Sequence, residues 1–571
     1  MEYAPYQEAA EKFPDIPLAD FKQAVQLVMP EGAVYQGAEA VFRALACAPG
    51  CGAGLWLYRR LPGFRPASEA AYRVVARHRA FFSRLTRLFW GASSAASSSL
   101  LTRWIFLRML GVIYLVAFVS LGIQALGLYG QNGVLPIADF LGRVAERYGP
   151  ERFYFLPSLF WLNASNAALQ FVWIAGAALS VLLIAGVAPA AALIGTWVCY
   201  LSYLSVGQDF LSFQWDILLV ETGFLAIFLA PLQIKPGLAR EAPPSKTVVW
   251  LFRLLLFRLM FMSGAVKLLS GDPTWRSLTA LLYHYQTQPL PTWIGWFAQQ
   301  LPVWFQRISV FVMFSIELAV PFFLFAPRRL RNAACMVLIA LQILILLTGN
   351  YCFFNWLAIA LCLMAMDDGI FSKGNSAGFP GRPWPRWVIG TVAFVVMIDS
   401  AAVFMLRLDI APAVARPLYR AISIVEPFRI ANSYGLFAVM TTSRLEIEIE
   451  GSNDGVEWRP YEFKYKPGDL AARPGFVAPH QPRLDWQMWF AALGSYQQNP
   501  WFMQLCRRLL EGSPDVLALL KSNPFPAAPP KYLRAEQFDY YFTDIAEWRR
   551  SGHWWRREPR GSYCPVLSLK D

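Results

Sequence analysis

The sequence predicts a polytopic α-helical membrane protein of about nine spans, oriented N-in/C-out, with an extracytoplasmic β-rich domain at its C-terminus. Three observations carry that prediction. The 571-residue chain is 56% hydrophobic and 15% aromatic, and its apolar residues fall in long runs, which is too greasy for a soluble protein of this size. Basic residues gather between alternate runs rather than along one surface. After Arg407 the composition turns polar, and the hydrophobic period shortens to two.

Residues 1–90 read as a soluble N-terminal domain without the apolar h-region of a cleavable signal peptide, so the first span is expected to direct insertion. A linker over 91–103 begins with the Ser-rich GASSAASSS. The membrane core follows at 104–407, with spans expected near 104–126, 168–186, 189–206, 211–231, 247–269, 308–326, 333–348, 352–366 and 387–407. Loop charges set the orientation. Arg77, Arg79, Arg84, Arg87 and Arg103 precede the first span, and Lys235, Arg240 and Lys246 separate the fourth from the fifth. Arg328, Arg329 and Arg331 precede the seventh, and Lys373, Arg382 and Arg386 the ninth. Nine crossings with the N-terminus inside put all of them on the cytoplasmic side. The net charge of +13 is therefore a topology signal, and no nucleic-acid partner is expected. The 127–167 loop is the exception, its Arg143, Arg147 and Arg152 being accompanied by Asp139, Glu146 and Glu151.

Residues 430–571 form the C-terminal domain. Leu445, Ile447 and Ile449 alternate with charged residues, Asn453-Asp454-Gly455 supplies a turn, and a second alternating strand is expected after it. EGSNDGVEW resembles a strand–turn–strand element of discoidin-type β-sandwiches. A helix is expected over 500–521 and strands at FDYYF and HWWRRE, with Trp486, Trp489, Trp501, Trp548, Trp554 and Trp555 read as core. The eight cysteines show no C-x-x-C and no zinc spacing. Cys199, Cys335, Cys352 and Cys362 lie in or beside apolar runs, while pairing is open to Cys506 and Cys564.

The candidate sites are charges at bilayer depth, which are expensive and mark either an ion pair or a functional site. They are Asp216, Glu221, Arg253, Arg258, Lys267 and Glu317, with Asp399 further along. Three readings stand for Lys267: snorkelling from the outer end of its span, pairing with Asp216 or Glu221, or acting as a base or nucleophile. The sums 216+267 and 221+258 nearly agree, so antiparallel neighbours would place Asp216 with Lys267 and Glu221 with Arg258. Glu317 and Asp399 are expected to pair with Arg108, Arg253 or each other. The loop after Lys267 carries Asp272, Trp275, Arg276, Tyr283, His284, Tyr285, Gln288 and Pro289. It reads as aromatic packing on the helices, as a contact site for a client chain, or, at His284, as a proton carrier. No second His or Cys lies near, so no metal is expected. Familiar catalytic and nucleotide-binding motifs are missing from the sequence.

Longer segments carry a resemblance. FLRMLGVIYLVAFVSLGIQALGLYGQNGVLP, FQWDILLVETGFLAIFLAP, GDPTWRSLTALLYHYQTQPLP, LTGNYCFFNWLAIALCL, ANSYGLFAVMTTSRLEIEIEGSNDGVEW and YYFTDIAEWRRSGHWWRRE resemble the lipase maturation factor family across 103–571. The resemblance implies a membrane-embedded folding factor, chaperone-like rather than enzymatic and without a cofactor. Its partners would be the lipid bilayer and exported clients such as lipases, with oligomeric state open. Eukaryotic members sit in the endoplasmic reticulum membrane; a bacterial member would sit in the inner membrane. Residues 4–90 resemble the latter part of DCC-type thiol-disulfide oxidoreductase domains, which are thioredoxin-like. That family's redox pair lies upstream of the matching segment, and Cys47 and Cys51, separated by three residues rather than two, are not its equivalents. The fusion is of a kind expected in bacteria. Finally, SGAVKLLSGDPTWRS is similar to a motif of the vitamin K-dependent γ-carboxylase, which would make Lys267 a base in a membrane enzyme with a quinone-like partner.

Overall fold

In a computed structural model, residues 4–47, 52–90, 99–237, 241–370 and 383–569 are described. The linker at 91–98, Cys51, Arg240, Lys373 and Arg382 lie outside them. The chain divides into two compact units at residue 95.

In the first unit, helices at Gly37–Ala46, Ala53–Arg60, Phe64–Arg77 and Arg79–Trp90 follow a short hairpin pairing Gln26–Val28 with Val34–Gln36. Glu69 organises it. Its carboxylate accepts from the Tyr58 hydroxyl at 2.8 Å and from the backbone N–H of Ala38 and Glu39, closing the open end of the 37–46 helix. Cys47 is exposed and free.

The second unit begins with nine apolar helices, each at the place the sequence predicts. They are α1 (Leu100–Gly122), α2 (Asn166–Ala185), α3 (Pro189–Val206), α4 (Gln214–Leu229) and α5 (Lys246–Leu269), then α6 (Val303–Phe325), α7 (Arg328–Thr348), α8 (Phe354–Ala365) and α9 (Arg386–Arg407). Seven of them are long and apolar enough to cross a membrane. α4, with 16 residues, and α8, with 12, reach only about 24 and 18 Å at 1.5 Å per residue, short of a hydrocarbon layer of about 30 Å. Of the spans the sequence predicts, 352–366 is already short for that layer. Ahead of α4, Phe210 and Leu211 end a short 3-10 turn and are buried with Phe213; ahead of α8, Tyr351–Phe353 are buried and not helical, and irregular backbone survives at depth only where protein covers it.

A tenth helix, α10 (Pro412–Ile422), folds back along α9. The C-terminal domain then mixes helix and sheet. α11 (Arg483–Ala492) and α12 (Pro500–Leu510) pack on one antiparallel sheet made of β1 (Arg444–Ser452), β2 (Arg459–Pro460), β3 (Tyr532–Phe542) and β4 (Trp555–Leu567), in the order β2-β1-β3-β4. The expected hairpin is thus a stub. β2 pairs only Pro460 and Arg459 with Glu450 and Gly451, while β1 pairs in full with β3, Arg444 facing Tyr540 and Ser452 facing Tyr532. No second facing sheet occurs among the described residues, so the discoidin-type likeness ends at the turn. The helix expected over 500–521 stops at Leu510, with a short helical turn at Pro514–Leu517, because Gly512, at φ +69°, and Pro514 end it. α11 went unpredicted. Cys506 and Cys564 are both buried and free. Trp486, Trp489, Trp501 and Trp555 are buried in the core, and Trp548 and Trp554 pack against Trp296 of the 270–302 segment.

The helices approach each other most closely at small residues, as membrane helices do. A methyl group at Gly223 of α4 would stand 1.8 Å from the Tyr114 hydroxyl of α1. Tyr114 has no room to retreat, because its ring is fully buried and its hydroxyl donates to the Leu219 carbonyl at 3.1 Å. Gly223→Ala should lower the thermal unfolding midpoint in detergent. Adding Tyr114→Phe, which removes the clashing oxygen, should recover part of that loss; a second substitution that only adds damage would show that the contact is not the cause.

Candidate functional site

Of the charges predicted on α4, α5 and α6, Glu221 and Arg258 pair with each other, as do Lys267 and Glu317, while Asp216 meets the C-terminal domain. Asp216, at the start of α4, receives both ends of the Arg483 guanidinium of α11, at 3.0 and 2.9 Å, and the Tyr200 hydroxyl at 2.5 Å. Arg483 also donates to the Phe210 carbonyl at 2.6 Å. Both charges are 0–1% exposed. Two turns along α4, Glu221 is paired with Arg258 of α5, at the matched depth the sequence sums indicate. The pair is sealed by residues beyond α10. Asn432 donates to Glu221 at 2.9 Å and accepts from Arg258 on its carbonyl at 2.9 Å, while Tyr434 donates to Glu221 at 2.6 Å.

Lys267 corrects two expectations. It does not pair with Asp216, which Arg483 has taken, and it does not snorkel, being only 6% exposed. Its Nζ donates to both oxygens of Glu317 on α6, at 3.0 and 2.8 Å, under the Trp275 ring. Gly264, one turn earlier, lets α6 come this close, since a Cβ there would touch Glu317 and Leu318 at 3.0 Å. A base must offer a lone pair, and here the nitrogen serves as a double donor to a carboxylate, a geometry that does not favour the carboxylase-like role. Glu317 therefore pairs with neither Arg108 nor Arg253. Arg108 lies over the Trp104 ring, and Arg253 lies near Arg331 and Asp367 instead. Asp399 has no hydrogen-bond partner or ion pair among the described residues, so its expected pairing fails as well.

The loop after Lys267 folds into short helices at Pro273–Arg276 and Leu281–Thr287, and its side chains turn inward. Asp272 caps the first by accepting from Thr274 N–H at 2.7 Å, and its other oxygen accepts from Met440 N–H at 2.7 Å. Its carboxyl is held below the ordinary range by these hydrogen bonds, which outweigh burial. Trp275 Nε1 donates to the Phe437 carbonyl at 3.0 Å. His284 Nε2 lies 2.9 Å from the Tyr351 hydroxyl, which also reaches Gln288 Oε1 at 2.8 Å. Gln288 Nε2 donates to the Thr348 carbonyl at 2.7 Å. Pro289 offers its carbonyl to Arg444 at 2.9 Å. Arg276 is exposed, and Tyr283 and Tyr285 are half-buried.

Sequence reasoning missed the residues that answer from the other side. Arg444 of β1 donates to the carbonyls of Gln286 and Gln288 at 2.7 and 2.5 Å and is neutralised by Glu446 at 2.7 Å, which Lys466 also holds at 3.0 Å. Asn350, before α8, binds Gly475, Val477 and Ala478. Ser120 of α1 and Gln124, just beyond it, bind His480, Gln481 and Arg483. Together these bonds fasten the C-terminal domain to one end of the helix bundle. Among the described residues no three His, Cys, Asp or Glu side chains gather as a metal site.

Removing one partner of a buried pair strands the other charge, at a cost of about 3–5 kcal/mol. Arg483→Leu should therefore lower the unfolding midpoint sharply, while Arg483→Leu with Asp216→Leu should lie well above the single variant. Equal damage from both would deny the pairing.

Acid should loosen the same seam. Burial, then Lys267, pushes His284 down to about 4, and burial, then Arg483 and Lys464, does the same to His480. Below the ordinary histidine value of about 6.5 the unfolded chain takes up protons that the folded chain refuses until about pH 4, so stability falls across that window as pH falls. Asp485, raised by burial to about 6, works oppositely over pH 6 to 3.8 and offsets one of the two. The unfolding midpoint should drop between pH 7 and 4.5, and His480→Asn, which keeps a polar atom near the Nδ1 position, should flatten that slope. An unchanged slope would remove His480 from the account.

Comparison with known proteins fits this architecture. Residues 101–373 match the lipase maturation factor transmembrane domain, 430–565 the lipase maturation factor C-terminal domain, and 2–85 a DCC1-like thiol-disulfide oxidoreductase. Lipase maturation factor 2 of Gallus gallus is 36% identical over 82% of this chain and 82% of its own length. The Homo sapiens protein of that name is 35% identical over 83% and 84%, and lipase maturation factor 1 of Mus musculus 35% identical over 82% and 88%. No solved structure matches. This polytopic membrane chain belongs to the lipase maturation factor family.

Proposed function

We propose that the chain is a membrane-embedded maturation factor that helps exported lipases fold, acting as a chaperone-like platform rather than as an enzyme. The observation that carries this reading is the fastening of the C-terminal domain to one end of the bundle through buried Arg483–Asp216, Arg444 and Asn350. It turns helices and domain into one continuous surface. The relatives' printed name supplies the client class.

The topology follows from which residues meet at each end. At the end away from the C-terminal domain, Asp368 accepts from Leu100 and Thr102, Arg328 and Arg331 meet Asp367, Arg103 pairs with Glu241, and Trp384 donates to the Ala230 carbonyl. α4 and α8 thus also run from one end to the other, each preceded by a short, largely buried segment. That supports nine crossings. Arg103, Lys246, Arg328, Arg331 and Arg386 lie at this end, which the positive-inside rule makes cytoplasmic, with the C-terminal domain outside. An inner-membrane location suits a bacterial chain.

Clients would meet apolar side chains left exposed on the outer side: Phe155 and Leu162 of the 127–167 loop, Phe297 and Leu301 of the 270–305 loop, and Phe476 of the C-terminal domain. Arg276, Tyr283 and Tyr285 of the predicted contact loop remain accessible beside them.

The test is a deletion strain complemented with wild type, Lys267→Ala, or Lys267→Ala with Glu317→Ala, scored for exported lipase activity per unit of lipase protein. Wild type should restore it. If Lys267 is structural, the double variant should restore more than the single one; if only wild type works at equal protein level, Lys267 carries chemistry and the platform reading falls.

A further inference from the structure

Asp399 breaks the pattern set by the other buried charges. It is 5% exposed, on a membrane-spanning helix, and accepts no hydrogen bond from any described residue, where Asp216, Glu221 and Glu317 each hold a cation. A charged carboxylate left so is costly, and it lines an open cavity of about 370 Å³ between the last turns of α9, Ile217 of α4, Tyr419 of α10 and the segment leading to Ser433. The cavity has a gradient of character. Asp399 is buried in its wall, Val403 and Leu406 make one side apolar, and Arg407 and Arg429 stand exposed, with no carboxylate within ion-pair distance among the described residues. Glu426 adds a second acid at the edge, beside Tyr419.

We infer that this cavity binds a headgroup carrying a primary ammonium next to a phosphodiester, as in phosphatidylethanolamine. The ammonium fits Asp399, which needs N–H donors that the protein does not provide. The phosphate fits Arg407 and Arg429, which offer unengaged guanidinium forks. Asp399 and Arg407 are eight residues apart on one helix, about 12 Å of rise, a gap that a long arginine side chain and a two-carbon headgroup bridge together. A pure anion site would not place an unpaired carboxylate in the wall, and a pure cation site would not place two arginines at the mouth. A metal ion is disfavoured because no three ligating side chains converge among the described residues. The setting suits a lipid: Phe394 and Met397 of α9 are exposed, as lipid-facing side chains are, and the exposed Arg407 closes the helix in the manner of an interfacial anchor. Quaternary choline offers no N–H, so the site should discriminate against it.

The experiment uses the delipidated full-length protein in detergent. Native mass spectrometry measures binding of phosphatidylethanolamine, phosphatidylcholine and phosphatidylglycerol of matched acyl chains, with soluble phosphoethanolamine as competitor. Phosphatidylethanolamine should bind about tenfold more tightly than phosphatidylcholine. Asp399→Asn should abolish that preference while leaving phosphatidylcholine binding unchanged, and Arg407→Gln with Arg429→Gln should weaken all three lipids. Added phosphatidylethanolamine should raise the unfolding midpoint of wild type but not of Asp399→Asn. Displacement by phosphoethanolamine at the lipid's own concentration would identify the free headgroup as a sufficient ligand; retention of the lipid would identify the intact lipid. Equal binding of the ethanolamine and choline lipids overturns the inference. So does an Asp399→Asn protein that unfolds without lipid, since that would reveal an internal partner for Asp399.

Discussion

A charge inside a bilayer must find a partner or stay out, and in this chain the C-terminal domain supplies one partner outright and seals a second pair. Asp216 would be stranded at the start of α4 without Arg483, and Glu221 and Arg258 would lack their hydrogen-bonding cover without Asn432 and Tyr434. A buried pair adds little net stability compared with an apolar contact of the same volume, but half a pair is strongly destabilising. The effect is selective. Any arrangement that lifts α11 from the bundle leaves Arg483 and Asp216 uncompensated, so the domain has one place to sit. The carbonyls of Gln286, Gln288 and Pro289 repeat the logic from the loop side, since a chain turning through two prolines leaves acceptors that Arg444 alone answers.

That docking changes what the 270–302 segment is for. Read as sequence, its Trp, Tyr, His and Gln residues look available to a client. In the fold they form the gasket between helices and domain: Trp275 to Phe437, Tyr351 to His284 and Gln288, and Trp489 to the Thr287 carbonyl. A protein that handles apolar client surface must keep its own apolar residues from being drawn into that role, and committing them to internal hydrogen bonds does so. The exposed set, Phe155, Leu162 and Phe297 among them, consists of apolar side chains outside these bonds.

The helices were legible because each is a run of apolar residues with a period of its own, and Glu221–Arg258 was legible because adjacent antiparallel helices turn sequence sums into depth. Lys267–Glu317 was not, since choosing α6 over α4 as its neighbour depends on the close approach that Gly264 permits. Arg483 was illegible for a stronger reason. It lies 267 residues from Asp216, in a stretch of mixed polarity where an arginine reads as solvated. The one available signal was its company, Leu484, Trp486, Met488 and Trp489, too apolar for a surface helix and buried on nearly every side. The sheet failed similarly. A turn signal at Asp454-Gly455 is local, whereas the true partner of β1 arrives eighty residues later as β3, and pairing at that separation leaves no mark on a local pattern.

Once the pairs are assigned, the exceptions become informative. An unpaired aspartate in an otherwise unpaired set would mean little. Here Asp216, Glu221, Glu317 and Asp367 are all held by lysine or arginine, and Asp272, Asp368 and Asp485 by backbone N–H donors, so Asp399, with neither, is a departure from what the other buried carboxylates do. Burial without compensation persists where the missing donor comes from outside the chain. The two unengaged arginines at the mouth of the same cavity then give that outside donor a second charge of opposite sign, which is how a lone carboxylate in a helix comes to specify a zwitterion rather than a proton.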